Sequence, residues 1–384
     1  MRRRRRSEKH YQREAREMLH IDCHTRLRAL TSAMLAVTVF AAACSANGDV
    51  EEGTTGEAVE TGNEAAMEEE EGTDEPSFDL SGATLRIGSS QPEALGMGIH
   101  YAVDLLEGWG AEVEHEFLTS ITGIEAIVAQ RLDVSASSAD EVLVGVSQGA
   151  NVTAIGAPTS SMHYAVVTAS DIEEVADLEG RTLGISSPGS FNALMFRLLL
   201  EQEGLDPQNS VTYAQIGGTG ERAAALLAGQ IDAAVVYIDS WIELQGQTDD
   251  LSLLGYMSDL APGLPSRLYY GAETYFEENP DVATAIACAN LEANAWIQAN
   301  PEAFVDYTVG EVEAASPEAV AEFHEVALGL DMYPTEPDAI VDTEDLQVLN
   351  EIMAETGELE SSVDLDELVD TTYLEEAIEM GCGA

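Results

Sequence analysis

From Leu80 onward the chain alternates short apolar runs with amphipathic stretches, and no other feature restricts its fold as much. Residues 84–88 predict a strand and 97–109 a helix. Residues 113–118, 123–131 and 134–136 repeat the pattern as strand, helix and strand, with Ile124, Ile127 and Val128 on one helical face. The same alternation returns over 182–185, 193–202, 211–215, 221–228 and 233–237. Strands that alternate with helices imply parallel sheets, because each crossover packs a helix back onto a sheet face. Two such sets, separated near 157–164, imply two α/β lobes.

A weak internal repeat supports two lobes. Ala129-Gln130-Arg131-Leu132-Asp133 precedes one apolar strand and then Ser137, Ser138 and Asp140. Ala228-Gly229-Gln230-Ile231-Asp232 precedes another, then Val236, Tyr237 and Asp239. Each unit reads as a helix, a tight turn, a strand and a polar loop at the strand's carboxyl end, which is where open α/β sheets bind ligands. Any pair of βα units would share part of this likeness.

Charge excludes one large class of partner. The 384 residues carry 16 basic and 71 acidic side chains, a formal net charge of −55. Ten of the basic residues lie before residue 29. Beyond them there is no lysine, only Arg86, Arg131, Arg181, Arg197, Arg222 and Arg267. A surface of this sign repels phosphates, so no nucleic acid is expected as a partner. It suits solubility in a saline exterior.

The basic residues mark the amino terminus. They precede an uncharged run over 29–43 that is too short for a bilayer, which needs roughly 20 residues. This is the pattern of a signal peptide, assigned to 1–43. The run ends in Ala41-Ala42-Ala43-Cys44-Ser45, which resembles a bacterial lipobox, with alanine where leucine is usual; Cys44 is then the lipidation site and the mature start. Residues 44–79 read as an acidic tether. Twelve acids between Asp49 and Glu75, with almost no large apolar side chain, cannot bury enough surface to offset chain entropy.

The run Asp177 to Pro207 (DLEGRTLGISSPGSFNALMFRLLLEQEGLDP) is followed by VTYAQIGG, Val211 to Gly218, and AALLAGQIDAAVVY, Ala224 to Tyr237. In this order it resembles the solute-binding proteins of ABC importers for nitrate, sulfonates, taurine and thiamine precursors. Gly123 to Ala157 is similar to the matching part of a first lobe, and Val363 to Ala377 to the closing helix. The resemblance implies an α/β type II periplasmic-binding-protein fold, two lobes joined by two crossing strands. Lobe one would comprise 80–162 and 258–384, and lobe two 163–257. It further implies a small-molecule ligand held between the lobes, closure on that ligand and an ABC importer permease as partner. The protein would be a monomer without cofactor, tethered through Cys44 to the outer face of the cell membrane.

The loops at strand ends supply the candidate ligand contacts. Ser187, Gly189 and Ser190 lie before a predicted helix, as do Gly218 and Thr219. Glycines let backbone amides approach closely, and a helix start leaves four N–H groups unpaired, so both loops offer sites for a carboxylate, sulfonate, nitrate or phosphate. Helix capping calls for the same residues. Ser89, Ser90 and Gln91, then Ser120, then Ser137, Ser138 and Asp140 are the lobe-one counterparts, and Tyr237 and Asp239 complete the ring. Among the arginines only Arg267 and Arg222 are candidates to face a cleft. A neutral or cationic heteroaromatic ligand is the other option, with Tyr164, Phe191, Tyr237, Trp241 and Tyr270 for stacking and Asp140 or Asp239 for charge.

Cys288 and Cys382 can pair as a disulfide outside the cell, although sequence supplies no geometry for the pair. His100, His115, His163 and His324 are scattered, so no metal is expected. The competing class is an enzyme on the same fold acting on a pyrimidine or related heterocycle, as in a fungal thiamine-pyrimidine synthase that resembles these binding proteins. No Cys-rich cluster, G-x-S-x-G elbow or H-E-x-x-H supports it. A ligand-sensing lipoprotein is a further alternative.

Overall fold

Two five-stranded sheets carry the chain. The first contains β1 (Thr84–Ser89), β2 (Glu112–Phe117), β3 (Val134–Ser138), β4 (Val152–Thr159) and β10 (Arg267–Ala272), in the order β2-β1-β3-β10-β4. The second contains β5 (Tyr164–Ala169), β6 (Thr182–Ile185), β7 (Thr212–Gln215), β8 (Ala233–Tyr237) and β9 (Leu251–Tyr256), in the order β7-β6-β8-β5-β9. The computed structural model describes residues 78–118, 121–261, 264–312, 315–335, 341 and 343–384. The expected signal peptide, Cys44, all but the last two residues of the expected tether, and Ser120 lie outside them.

Both sheets follow one plan. β1 pairs in parallel with β2 and β3, and β6 pairs in parallel with β7 and β8. Into each sheet one strand enters antiparallel: β10 between β3 and β4, and β5 between β8 and β9. The chain crosses from β4 directly into β5, and returns from β9 through the short helix α7 (Met257–Leu260) to β10.

The intervening helices are α1 (Met97–Gly108), α2 (Gly123–Val128), α3 (Ala139–Ser147), α4 (Phe191–Gln202), α5 (Thr219–Leu227) and α6 (Ile238–Gln245). The periodicity predicts all of these strands and helices except β4, β5, β9, β10, α3, α6 and α7. β4 shows why: all eight of its residues are buried, its two threonines included, so its sequence has no apolar-polar alternation. The structure also corrects the expected loop positions. Pairing with Leu268 and Arg267 of β10 extends β3 through Ser137 and Ser138, while Asp140 and Asp239 sit in the first turns of α3 and α6.

The repeat is structural. Asp133 Oδ2 accepts the amide of Arg86 at 2.9 Å, and Asp232 Oδ2 accepts the amide of Thr182 at 2.7 Å. In each sheet the residue before the last of the three mutually parallel strands, β3 or β8, is thereby locked to the first of them, β1 or β6.

The C-terminal region is helical: α8 (Glu273–Glu278), α9 (Pro280–Ala299), α10 (Pro301–Glu311), α11 (Pro317–Gly329), α12 (Thr343–Glu355), α13 (Leu365–Leu368) and α14 (Thr372–Glu379). α9, α10 and α11 each begin with proline, whose fixed φ suits the first helical turn. α9 is buried nearly all round and packs on α1 and α14. Its two buried asparagines donate to the backbone, Asn290 to Ala157 O and Asn294 to Pro334 O, while Asn294 Oδ1 has no hydrogen-bond partner among the described residues. Cys288 of α9 forms a disulfide with Cys382. Among the described residues no helix is long and apolar enough to cross a membrane.

Candidate functional site

A cleft of about 490 Å³ opens between the sheets. Strand direction explains its lining. β1, β3 and β8 end there, presenting Ser89, Ser137 with Ser138, and Tyr237. The two antiparallel strands begin there, so Arg267 of β10 and Tyr164 of β5 stand beside those ends. Residues 121–123 and Glu125 at the start of α2, Glu141 of α3, and His163 just before β5 complete the wall.

Glu141 is the hub of the lobe-one side. Its Oε1 accepts the amide of Gly123 at 2.9 Å, the hydroxyl of Ser137 at 3.1 Å and that of Tyr270 at 3.2 Å. Ser137 and Tyr270 are themselves 2.8 Å apart. Position 123 has to be glycine, because a Cβ there would overlap Ser135 Oγ and Tyr270 Oη. Thr122 and Glu125 form a capping box, Thr122 Oγ1 accepting the Glu125 amide and Glu125 Oε2 accepting the Thr122 amide.

Ser89 Oγ lies 2.8 Å from His115 Nε2. Burial, followed by the charge of His100, lowers the His115 pKa to about 4. Arg267 donates Nη2 to Glu93 Oε1, and its other terminal nitrogen, Nη1, is buried without a hydrogen-bond partner among the described residues. Burial is the largest influence and works to raise the Glu93 carboxyl, but the charge of Arg267, the contribution of His163 and the hydrogen bonds from Arg267 and Ser90 together outweigh it and bring the pKa below the usual range.

The lobe-two side is aromatic. His163 stacks on Tyr164 at 4.5 Å and on Tyr237 at 4.8 Å between ring centroids. Burial pushes the His163 pKa down to about 3, with Arg267 adding to the effect, so the ring is neutral at ordinary pH. Burial also raises both tyrosine hydroxyls.

Five of the fourteen residues expected at the site meet in this cleft: Ser89, Ser90, Ser137, Ser138 and Tyr237. Gln91, Asp140, Ser187, Gly189, Ser190, Gly218, Thr219 and Asp239 do not line it. Asp239 instead borders a second cavity of about 280 Å³, with Glu93 and Phe323. The lobe-two loops use their donors internally. Ser186 N donates to Asn192 Oδ1 at 3.0 Å, Ser187 N to Ser190 Oγ at 3.3 Å, and Gly218 N to Glu221 Oε2 at 2.7 Å. Arg222, buried behind them, gives all five N–H groups to neutral oxygens of Ser186, Gly217, Thr219 and Val235. The sequence reading already named Arg267 and Tyr164, and it missed Glu141 and His163. Spacing held a clue to Glu141, which stands four residues beyond Ser137.

A family model described as NMT1/THI5 like matches residues 112–304. The chain belongs to the NMT1/THI5-like family. No curated protein matches the sequence. Among solved structures, this NMT1/THI5-like chain is similar to the periplasmic aliphatic sulphonate binding protein SsuA from Escherichia coli, at 18% identity and a TM-score of 0.62, over 75% of this chain and 92% of that one. It is similar to the periplasmic sulfonate-binding protein SsuA from Methylobacillus flagellatus KT, at 16% identity and 0.63, over 79% and 95%. It is also similar to a mutant of the desulfurization enzyme DSZB in complex with biphenyl-2-sulfinic acid, at 16% identity and 0.58, over 77% and 99%. These likenesses show the fold. The NMT1/THI5-like chain has the expected type II periplasmic-binding-protein architecture, two α/β lobes joined by two crossing strands.

Proposed function

We propose that this protein is an extracytoplasmic solute receptor that captures a small organic molecule in the cleft and delivers it to an ABC importer permease. The observation that carries the reading is the cleft itself: it lies between the two sheets, where strand ends and the neighbouring helices place hydroxyls, the carboxylates of Glu125 and Glu141, Arg267 and aromatic rings around one space. The fold shared with sulfonate-binding proteins supports it. In this reading lobe one spans 80–162 and 258–384, lobe two spans 163–257, and the lobes close on the solute. Cys44 carries the lipid that holds the chain to the outer face of the membrane, and the Cys288–Cys382 disulfide fits an oxidising exterior. Ser89, Ser90, Ser137, Ser138 and Tyr237 contact the ligand in the open cleft, and the lobe-two loops meet it only on closure.

An enzyme on the same fold is the second reading, favoured by the hydrogen bond between Ser89, at the cleft wall, and His115, and by the likeness to DSZB. With a pKa near 4, His115 is a weak general base at neutral pH, which weighs against it. Incubation of the whole chain with a stabilising solute, followed by chromatographic recovery, separates the two. A receptor returns the solute unchanged; consumption of the solute overturns the receptor reading.

A further inference from the structure

The charge of the cleft is opposite to what a sulfonate needs. Among the described residues each of the six guanidinium groups has a partner; Nη1 of Arg267 makes no hydrogen bond, but that atom is buried rather than open to the cleft. Arg86, Arg131, Arg181, Arg197 and Arg267 pair with Asp133, Glu116, Asp171, Glu358 and Glu93 respectively. Arg222 is enclosed by neutral oxygens, with all of its N–H groups used.

The backbone amides that open α/β folds offer to anions are occupied as well, and by the chain's own carboxylates. Glu125 takes the Thr122 amide, Glu141 the Gly123 amide and Glu221 the Gly218 amide. A ligand anion would have to displace one of these side chains and then sit beside its charge. Two of the three, Glu125 and Glu141, line the cleft.

A cation meets the reverse situation. All the donors held by Glu141 converge on Oε1, and among the described residues Oε2 accepts no hydrogen bond. The same cleft is lined by the stacked rings of Tyr164, Tyr237 and His163. A carboxylate set against electron-rich rings is the chemistry that recognises an organic ammonium or amidinium group. The His163 ring is neutral, and the Arg267 charge that reaches these rings is paired with Glu93.

We infer that the cleft selects an organic cation, its ammonium or amidinium group on the Glu141 carboxylate and its body against Tyr164 and Tyr237, and rejects the anions that the sulfonate-binding relatives are named for. This rests on the receptor reading and sharpens it by fixing the sign of the solute.

The test uses charge-matched probes of one shape. Isothermal titration of the whole chain compares benzylammonium and benzamidinium with benzylsulfonate, taurine and neutral benzyl alcohol, at high salt so that the global negative charge is screened. The cations are expected to bind saturably at one site and at least tenfold more tightly than the sulfonate. Glu141→Gln is expected to weaken them at least tenfold, and Glu125→Gln by less. Because Glu141 also ties Gly123 to Tyr270, its variant is scored only if its thermal unfolding stays cooperative, and the wild-type probe comparison decides by itself if it does not. Binding of sulfonate or alcohol with no binding of either cation overturns the cation assignment and leaves the receptor standing. So does cation binding that Glu141→Gln leaves unchanged. Failure of every probe up to 10 mM overturns the cation assignment for this cleft, and consumption of a bound probe overturns the receptor reading instead.

Discussion

Gln130 and Gly229 adopt the same left-handed backbone conformation, with φ of 58° and 62°, at matching turns of the two sheets. Only one of the two turns has the residue suited to it. A side chain at positive φ is strained by contact between Cβ and the backbone, at a cost of roughly 1–2 kcal/mol. Gln130→Gly is therefore expected to leave stability unchanged or raise it by up to about 1 kcal/mol, the gain being offset in part by unfolded-chain entropy. Gly229→Val should lower it by more than about 1 kcal/mol, because a β-branched residue is a true outlier there. Urea unfolding of both variants checks the pair.

Reduction of the Cys288–Cys382 disulfide releases a loop closed across 94 residues. The unfolded state gains the entropy that the cross-link had removed, so the expected loss is about 2–5 kcal/mol. Thermal unfolding with and without reductant, and of Cys382→Ser, should show matching decreases in Tm. An unchanged Tm on reduction would mean that the cross-link does not restrain the unfolded chain.

Arg222 joins the two lobe-two loops through Ser186, Gly217 and Thr219 to Val235 of β8. Arg222→Met keeps the bulk but strands the carbonyls of Gly217 and Val235 without donors. The expected cost is about 3 kcal/mol, at about 1–3 kcal/mol for each buried group left unpaired. Hydrogen exchange should localise the loss to the loops before α4 and α5, with the first sheet unaffected.

Acid should weaken the fold through its buried histidines. His115 and His163 titrate near 4 and 3 in the folded protein, against an ordinary 6.5. As pH falls below 6.5 the unfolded chain takes up protons that the folded one refuses. The stability from these two sites is full above that value and drains away toward pH 4. In His163→Gln the fall in stability between pH 7 and pH 5 should be smaller than in the wild type, even if the variant starts lower. An equal fall in unfolding free energy for variant and wild type, measured by denaturant titration at the two pH values, would contradict the assignment.

Gly123 tests the cleft wall. Gly123→Ala must push aside both Ser135 and Tyr270, which opens the Glu141 network without removing a charge. Affinity for any solute that stabilises the wild type is expected to fall at least tenfold, with a stability loss of about 1–3 kcal/mol from overpacking. Calorimetric titration beside a melting curve distinguishes the two effects.

The amino-acid sequence by itself determined the two α/β lobes and the polar loops at the strand ends. Helical and strand periods are local, so Ile124, Ile127 and Val128, or the run Ala233–Tyr237, declare their elements to any reader of the chain. Tertiary structure decided which of those loop residues share a space and what their donors do. β10 and β5 enter their sheets antiparallel with no local signature, yet their arrival extends β3, brings Arg267 to Glu93 and seats Tyr164 beside Tyr237. Of the two helix starts that looked open in sequence, that of α4 is closed by Asn192 and Ser190 and that of α5 by Glu221, while Glu141 closes the start of α2. Capping by Glu221 stays within one turn, but the Glu141–Tyr270 contact spans 129 residues and follows only from the sheet register. Local periodicity thus fixed the scaffold, while long-range strand pairing fixed the charge and the walls of the cleft.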